Sequence, residues 1–282
     1  MNGYNKYIDL HTHSVNSDGT LTPTELIKLA KEKNLAAVAL TDHDTVNGLE
    51  EAFDAGKKYG VEVVSGIEFS VSADVEMHLI GLDFPLDSPK ITAVLDAMIK
   101  NRNTRNTKLL RILSELGMPL TEDDVLQFAT SPVIGRSQFS RAMVKKGYVS
   151  SVAEAFDKYL AFGKPAYLPR ETLSPTEAIR IIRESGGIAV LPHLNQIDKT
   201  DDELYELLKL LKSVGLDAVE GYYTEYTEEM NIKYRKMADD LGLKLSGGSD
   251  FHGENKIAHD IGTGGGNLRI PYSVLENLRS RR

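Results

Sequence analysis

The chain contains no cysteine. That absence excludes disulfides, thiolate nucleophiles and cysteine-ligated zinc, so any metal must be held by histidine, carboxylates or backbone oxygens. Long apolar runs are missing too. No stretch approaches the roughly 20 residues that span a bilayer. The opening Met1-Asn2-Gly3-Tyr4-Asn5-Lys6 lacks the charged and apolar regions of a secretory leader. The expectation is a cytoplasmic protein with no membrane partner. Positive charge is in deficit: 33 Lys and Arg against 41 Asp and Glu leave a net −8. A surface of that sign does not attract duplex nucleic acid. A phosphate substrate would need a local field, and bound divalent cations supply one. Internal repeats and low-complexity segments are also absent.

What is present is an ordinary globular composition. The 282 residues suit one large domain, or a barrel plus a small insertion. Short apolar strands alternate with helical patterns, which predicts an α/β fold with a parallel sheet. Seven strands are expected, at 6–10, 36–40, 61–67, 76–82, 188–191, 217–220 and 243–246. Several are nearly continuous apolar runs, as strands covered on both faces require. Helices fall between most of them, at 49–59, 175–184, 202–214 and 228–241. The first has the clearest start: Thr22 as N-cap, Pro23 at the first helical position and Glu25 completing a capping box. Leu26, Ile27, Leu29 and Ala30 supply its buried stripe. From about 88 to 162 no strand is expected. That stretch reads as helices at 91–116, 122–128, 137–146 and 152–160. The expected organisation is a barrel from 1–87 and 163–282, with an inserted helical subdomain at 88–162. The segment 262–267, rich in glycine, is expected to be a flexible loop.

The chemistry gathers at strand ends. His11 and His13 flank one residue at the end of the first strand, and i and i+2 share a face. An isolated His-x-His matches by chance. Here Asp18 follows in the next loop, and Thr41-Asp42-His43-Asp44 ends the second strand. Glu68 ends the third, His78 lies in the fourth, His193 follows the fifth, and Asp250 and His252 follow the last. Six of the seven histidines lie on or just past barrel strands, where β/α barrels build their active sites. Nine candidate ligands exceed what one tetrahedral zinc uses, so two or three divalent metals are expected, of the zinc, manganese or iron type. Glu68 or Asp250 could bridge them. A metal-bound hydroxide would then serve as nucleophile, with no separate protein nucleophile. Asp42 and Asp44 are read as turn residues or outer supports, and His259 as a surface residue. Tyr222 or Tyr223 could stack on a base, with core or rim packing as the plainer role.

The ordered set Asp9-Leu10-His11-Thr12-His13-Ser14, Ser17-Asp18-Gly19, Thr41-Asp42-His43-Asp44, Gly66-Ile67-Glu68, Met77-His78 and Ser249-Asp250-Phe251-His252 resembles the PHP (polymerase and histidinol phosphatase) family. The resemblance implies a distorted (β/α)7 barrel with up to three metals. It implies that His11, His13, Glu68 and Asp250 hold one, Glu68, His78 and His193 a second, and Asp18, His43 and His252 a third. Gly135-Arg136-Ser137-Gln138-Phe139, Gly147-Tyr148-Val149 and Gly163-Lys164-Pro165-Ala166-Tyr167 resemble a stand-alone bacterial branch similar to 3′,5′-nucleoside bisphosphate phosphatases. In that branch the residues matching Arg136 and Lys164 would bind substrate phosphate, a task suited to the planar fork of Arg. Arg102, Arg105 and Lys108 read as a solvated helix face. Two departures stand out. Pro192-His193-Leu194 replaces the usual Ala-His-Pro, and Gln138 stands where relatives often carry His.

The implied function is metal-dependent hydrolysis of a nucleotide phosphomonoester. Alternatives within the same chemistry are a 5′-3′ exoribonuclease on short oligoribonucleotides and a histidinol-phosphate-type phosphatase. An amidohydrolase would want a strand-end lysine for a bridging carbamate, and none is evident. A non-catalytic metal-binding module would be expected to have lost some of the nine ligands.

Overall fold

The computed structural model describes residues 6–72, 76–128, 134–169 and 172–280. By backbone contacts the chain divides into two compact units, residues 1–92 with 173–282, and residues 93–172.

The first unit is a nearly closed barrel. Its strands are β1 (Tyr7–Thr12), β2 (Leu35–Leu40), β3 (Glu62–Ser72), β4 (Glu76–Leu82), β5 (Ile188–Leu191), β6 (Ala218–Tyr223), β7 (Lys244–Gly248) and β8 (Ile270–Pro271). The sheet order is β7-β6-β5-β4-β3-β2-β1-β8. β8 pairs antiparallel with Tyr7 and Ile8 at the start of β1. The far end of β1 bonds instead to the chain leaving β7: Asp250 N–H donates to His11 O and His13 N–H to Phe251 O, both at 2.9 Å. Those bonds close the barrel at the edge where the histidines collect.

Helices α1 (Pro23–Glu32), α2 (Leu49–Tyr59), α7 (Pro175–Glu184), α8 (Asp201–Ser213), α9 (Glu228–Leu241) and α10 (Ser273–Arg279) belong to this unit. The predicted capping box of α1 is formed, Thr22 accepting from the Glu25 N–H while the Glu25 side chain accepts from Thr22. Val274, Leu275 and Leu278 of α10 pack with Ile8, Ala37, Val64, Leu82, Ile188 and Ala218. This apolar plug fills the amino-terminal end of the parallel strands and leaves the carboxyl end for polar side chains.

Among the seven expected strands, the sheet departs from the expected all-parallel arrangement at β4. β4 runs antiparallel to both β3 and β5. The reason is connection length: only residues 73–75 separate β3 from β4, too few for the helical crossover that a parallel neighbour needs. The eighth strand, β8, lies beyond the seven expected. The glycine-rich segment also differs from expectation. Ile261 is fully buried, and Gly262 N–H donates to Asp9 Oδ2 at 2.7 Å, so this turn is fastened to β1.

The second unit is helical. It contains most of α3 (Pro89–Glu115), then α4 (Glu122–Leu126), α5 (Arg136–Lys145) and α6 (Val152–Ala155), the last running into a wider π-type turn at Phe156–Leu160. Its own core includes Leu109, Leu113, Phe139, Met143 and Leu160.

Candidate metal centre

The nine expected ligands all belong to the barrel unit, and the structure brings them to its carboxyl edge. His11 lies near the end of β1 and His13 just past it, both fully buried. The antiparallel course of β4 matters here. His78 lies near its start, opposite Ser70 of β3, and so shares the edge with residues that follow the other strands. His193 leaves β5 in a left-handed conformation, φ 30, and Asp250 leaves β7 likewise at φ 57. Such backbone is costly for residues other than glycine and tends to persist at functional sites.

Glu68 is the hub, only 1% exposed. Its Oε2 lies 3.3 Å from His11 Nε2, 3.2 Å from His13 Nε2 and 3.3 Å from His43 Nδ1. Its Oε1 lies 2.9 Å from His78 Nδ1 and 3.0 Å from His193 Nε2. One carboxylate thus faces five imidazoles, split between its two oxygens. Asp250 Oδ1 is 3.5 Å from His11 Nε2, 3.4 Å from His13 Nε2 and 3.4 Å from His252 Nδ1. Asp18 is 3.2 Å from His252 Nε2 and 3.7 Å from both His13 and His43. Four overlapping groups result, each with ligand atoms within 4.8 Å of one another: His13-Asp18-His43-His252, His11-His13-Asp250, His11-Glu68-His193 and His43-Glu68-His78.

The cluster has a closed side and an open side. The side chains of His11, His13, Glu68 and Asp250 are almost wholly buried. Those of His43, His78 and Asp18 are 24%, 28% and 53% exposed. A ligand approaching from solvent meets these three first.

Burial and charge set the protonation of the cluster as it stands. Burial pulls the His13 imidazole down, but Asp250 and Glu68 together push it up to about 9. His11 is raised as well, burial again being outweighed, here by Glu68, Asp250 and Glu220. At His43 burial wins and holds the group near 4. Burial would raise Glu68 and Asp250, yet the surrounding imidazoles hold both well below the usual carboxylate range.

A ring of further side chains supports the cluster, and sequence reasoning passed over most of it. Asp9 is fully buried and accepts from the Ser249 hydroxyl at 2.6 Å and backbone at 2.9 Å. Asp42 accepts from the Ser14 backbone and hydroxyl and from the Ser17 hydroxyl, fixing the loop that carries Asp18. Asp44 accepts from the Ser70 N–H at 2.9 Å. Tyr223 donates to Asp250 Oδ2 at 3.0 Å, and Lys256 Nζ lies 2.7 Å from the same oxygen, while Oδ1 faces His11, His13 and His252. Glu220 contacts His11 Nδ1 at 3.1 Å and the His193 N–H at 2.7 Å. The signal for Glu220 was available: a charged residue inside the apolar run Ala218-Val219-Glu220 is costly to bury without partners.

One expectation needs correction. His259 is not a surface residue: it is 6% exposed, 2.9 Å from Ser249 O and 3.3 Å from Glu225. Tyr223 is fully buried and the Tyr222 ring is covered by the Arg235 guanidinium at 4.0 Å, so packing, the plainer of the two expected roles, is the one that Tyr223 takes. In the helical unit, Gln138 accepts from the Gly135 N–H at 2.9 Å, so it caps α5. Arg136, the first residue of α5, donates to Leu160 O at 3.1 Å and lies 5.9 Å and 5.5 Å from the Phe156 and Tyr167 ring centres. Lys164 is exposed in the turn that follows Ala161.

The chain matches the PHP domain pattern over residues 9–252. It is 34% identical over 248 residues to a 5′-3′ exoribonuclease of Haemophilus influenzae, covering 88% of this chain and 90% of that one. It is 34% identical over 257 residues to a 3′,5′-nucleoside bisphosphate phosphatase of Chromobacterium violaceum, covering 90% of each. Among solved structures it is similar to an amidohydrolase from Chromobacterium violaceum with bound sulfate and no metal, at TM-score 0.78 and 32% identity over 98% of this chain and 96% of that one.

Proposed function

This chain belongs to the PHP domain family, and from that premise we propose that it is a metal-dependent phosphoesterase that hydrolyses a phosphomonoester of a nucleotide. One observation carries the reading: six imidazoles and three carboxylates meet around Glu68 at the barrel edge.

The residues fit divalent cations. His13 Nδ1 and Nε2, His43 Nδ1 and His193 Nδ1 are buried without a well-formed hydrogen bond. Buried nitrogens left this way are costly, and cations among them would relieve that cost. The donor set is imidazole and carboxylate, suited to manganese, zinc or iron. Nine donors exceed one coordination shell, which supports two or three ions, and Glu68, which faces five imidazoles, would help to hold more than one of them. When bound, such ions stabilise charge on a phosphoryl oxygen and lower the pKa of water.

The protein's own residues then have distinct tasks. His11, His13 and Asp250 form the dry floor. Asp18, His43 and His78 face the approaching ester. Asp9 and Asp42 hold the loops that carry Asp250 and Asp18. In the helical unit we assign Arg136 and Lys164 to substrate phosphate. The Arg136 guanidinium lies beside the Phe156 and Tyr167 rings, and its planar fork suits a pair of phosphate oxygens. A small nucleotide rather than a duplex agrees with the net charge of −8. No helix among the described residues is long and apolar enough to cross a membrane.

The test is phosphate release from adenosine 3′,5′-bisphosphate after chelation and return of manganese, zinc or iron, beside a short 5′-phosphorylated oligoribonucleotide. Metal-dependent release from the bisphosphate is the expected result. Faster stepwise shortening of the oligomer would instead favour the exoribonuclease activity named for the Haemophilus relative. No activity on either, in protein that has taken up metal, would refute the nucleotide assignment.

A further inference from the structure

We infer that Glu220 is a positioning residue: it fixes which nitrogen of His11 faces the metal centre and holds the strained backbone of His193, and so sets how tightly the centre binds its cations. The inference rests on the metal-dependent reading above and goes beyond it, because Glu220 is none of the nine ligands.

Glu220 is 1% exposed. A carboxyl group so placed survives only with strong partners. One is the His193 N–H, which donates to Oε2 at 2.7 Å. His193 sits at φ 30, ψ 61, and this bond helps hold that conformation. The other is His11 Nδ1, 3.1 Å from Oε1. With its proton on Nδ1 and donated to Glu220, His11 turns the lone pair of Nε2 toward Glu68 and Asp250, at 3.3 Å and 3.5 Å. A metal-ligating imidazole is oriented in this way by a partner on its other nitrogen.

The local backbone explains how β6 manages it. Along β7, Ser246 and Gly247 are consecutive, yet their partners on β6 are Glu220 and Tyr222. This extra residue is a β-bulge, which re-aims side chains. As a result Glu220 and Tyr223, three apart, both reach the cluster, one at His11 and the other at Asp250. β6 lends no ligand of its own but orients residues from β1, β5 and β7.

Glu220→Gln separates this role from mere filling of space. The amide oxygen can still accept from the His193 N–H. Its NH2 must then face His11 Nδ1, which forces the imidazole proton onto Nε2, the nitrogen needed by the metal. Zinc affinity, measured by competition with a chromophoric chelator, is expected to fall about 10- to 100-fold. Glu220→Asp keeps two acceptor oxygens at shorter reach and is expected to bind more tightly than the Gln variant, although Gln is the closer match in volume. A role in packing alone predicts the opposite order. In zinc-loaded, nitrogen-15-labelled wild type, the His11 proton should be found on Nδ1. A Gln variant that binds zinc as the wild type does, an Asp variant weaker than Gln, or a wild-type His11 protonated on Nε2 would each overturn the inference. The last measurement needs only the wild type, so it decides even where a variant fails to fold. Wild type that takes up no zinc, manganese or iron would instead remove the metal-dependent reading, and this inference with it.

Discussion

The substitution Gly248→Ala tests the closure of the barrel and the placement of the metal centre together. Gly248 ends β7 opposite β1. A Cβ added there would stand 2.2 Å from His11 Cβ, 2.5 Å from His11 N and 2.8 Å from His11 Cα. None of these atoms can rotate away. Ordinary contact begins at 3.4 Å, so the chains must part by 3.4 − 2.2, or about 1.2 Å. Two bonds of 2.9 Å, Asp250 N–H to His11 O and His13 N–H to Phe251 O, hold the same seam and would stretch. Overpacking costs about 1–3 kcal/mol, and weakening these bonds adds roughly 1 kcal/mol each, for a total of about 3–5 kcal/mol. At about 2–4 °C per kcal/mol, the melting temperature of metal-free protein should fall by roughly 6–20 °C. Because the parted segments carry His11, His13 and Asp250, hydrolysis at saturating metal should fall by about 100-fold, the order expected for a 1 Å misplacement. Gly265→Ala is the control, since its Cβ would meet nothing closer than 3.8 Å. A Gly248→Ala protein that melts and turns over like the wild type would refute the reasoning, because backbone so close cannot absorb a methyl group unnoticed.

Other predictions follow from the same geometry. Glu68→Gln should lower metal stoichiometry and reduce phosphate release by more than about 100-fold, while circular dichroism stays native; full activity would remove Glu68 as the hub. His13, held up at about 9 without metal, is protonated at pH 7.5 and must lose that proton to bind a cation. Metal binding at pH 7.5 should therefore release protons, seen as a calorimetric enthalpy that changes with the ionisation enthalpy of the buffer, and affinity should rise with pH toward 9; a buffer-independent enthalpy would contradict this. Tyr223→Phe removes the donor to Asp250 Oδ2, which should cost about 1–3 kcal/mol of stability or metal binding, detected by denaturant titration and chelator competition. Thr22→Ala removes the cap of α1 and should cost about 1 kcal/mol in urea unfolding without touching turnover.

Much of this arrangement was legible without coordinates. Alternating strands and helices gave a βα fold with a parallel sheet, because each pattern must bury its apolar face, and the resemblance to the PHP family implied its closure into a barrel. The strand-end positions of His11, His13, His43, Glu68, His193, Asp250 and His252 pointed to one edge, because strand polarity carries side chains there. The start of α1 was readable from Thr22, Pro23 and Glu25, because capping depends on neighbours in sequence. Pairings across long separations were not readable. That β4 runs backward, and so lifts His78 to the same edge, depends on which strands pair. That Tyr223 is sealed behind Asp250, and His259 packed against Ser249, depends on a bulge in β6 and a turn tied to Asp9. Sequence alone determined which donors are present and on which strands, since residue identity and local periodicity are written in the chain. Only the tertiary structure decided that Glu68 shares its two oxygens among five imidazoles and that Glu220 backs the His11 imidazole and the His193 backbone, since those contacts join residues up to 209 positions apart that meet only when the barrel closes.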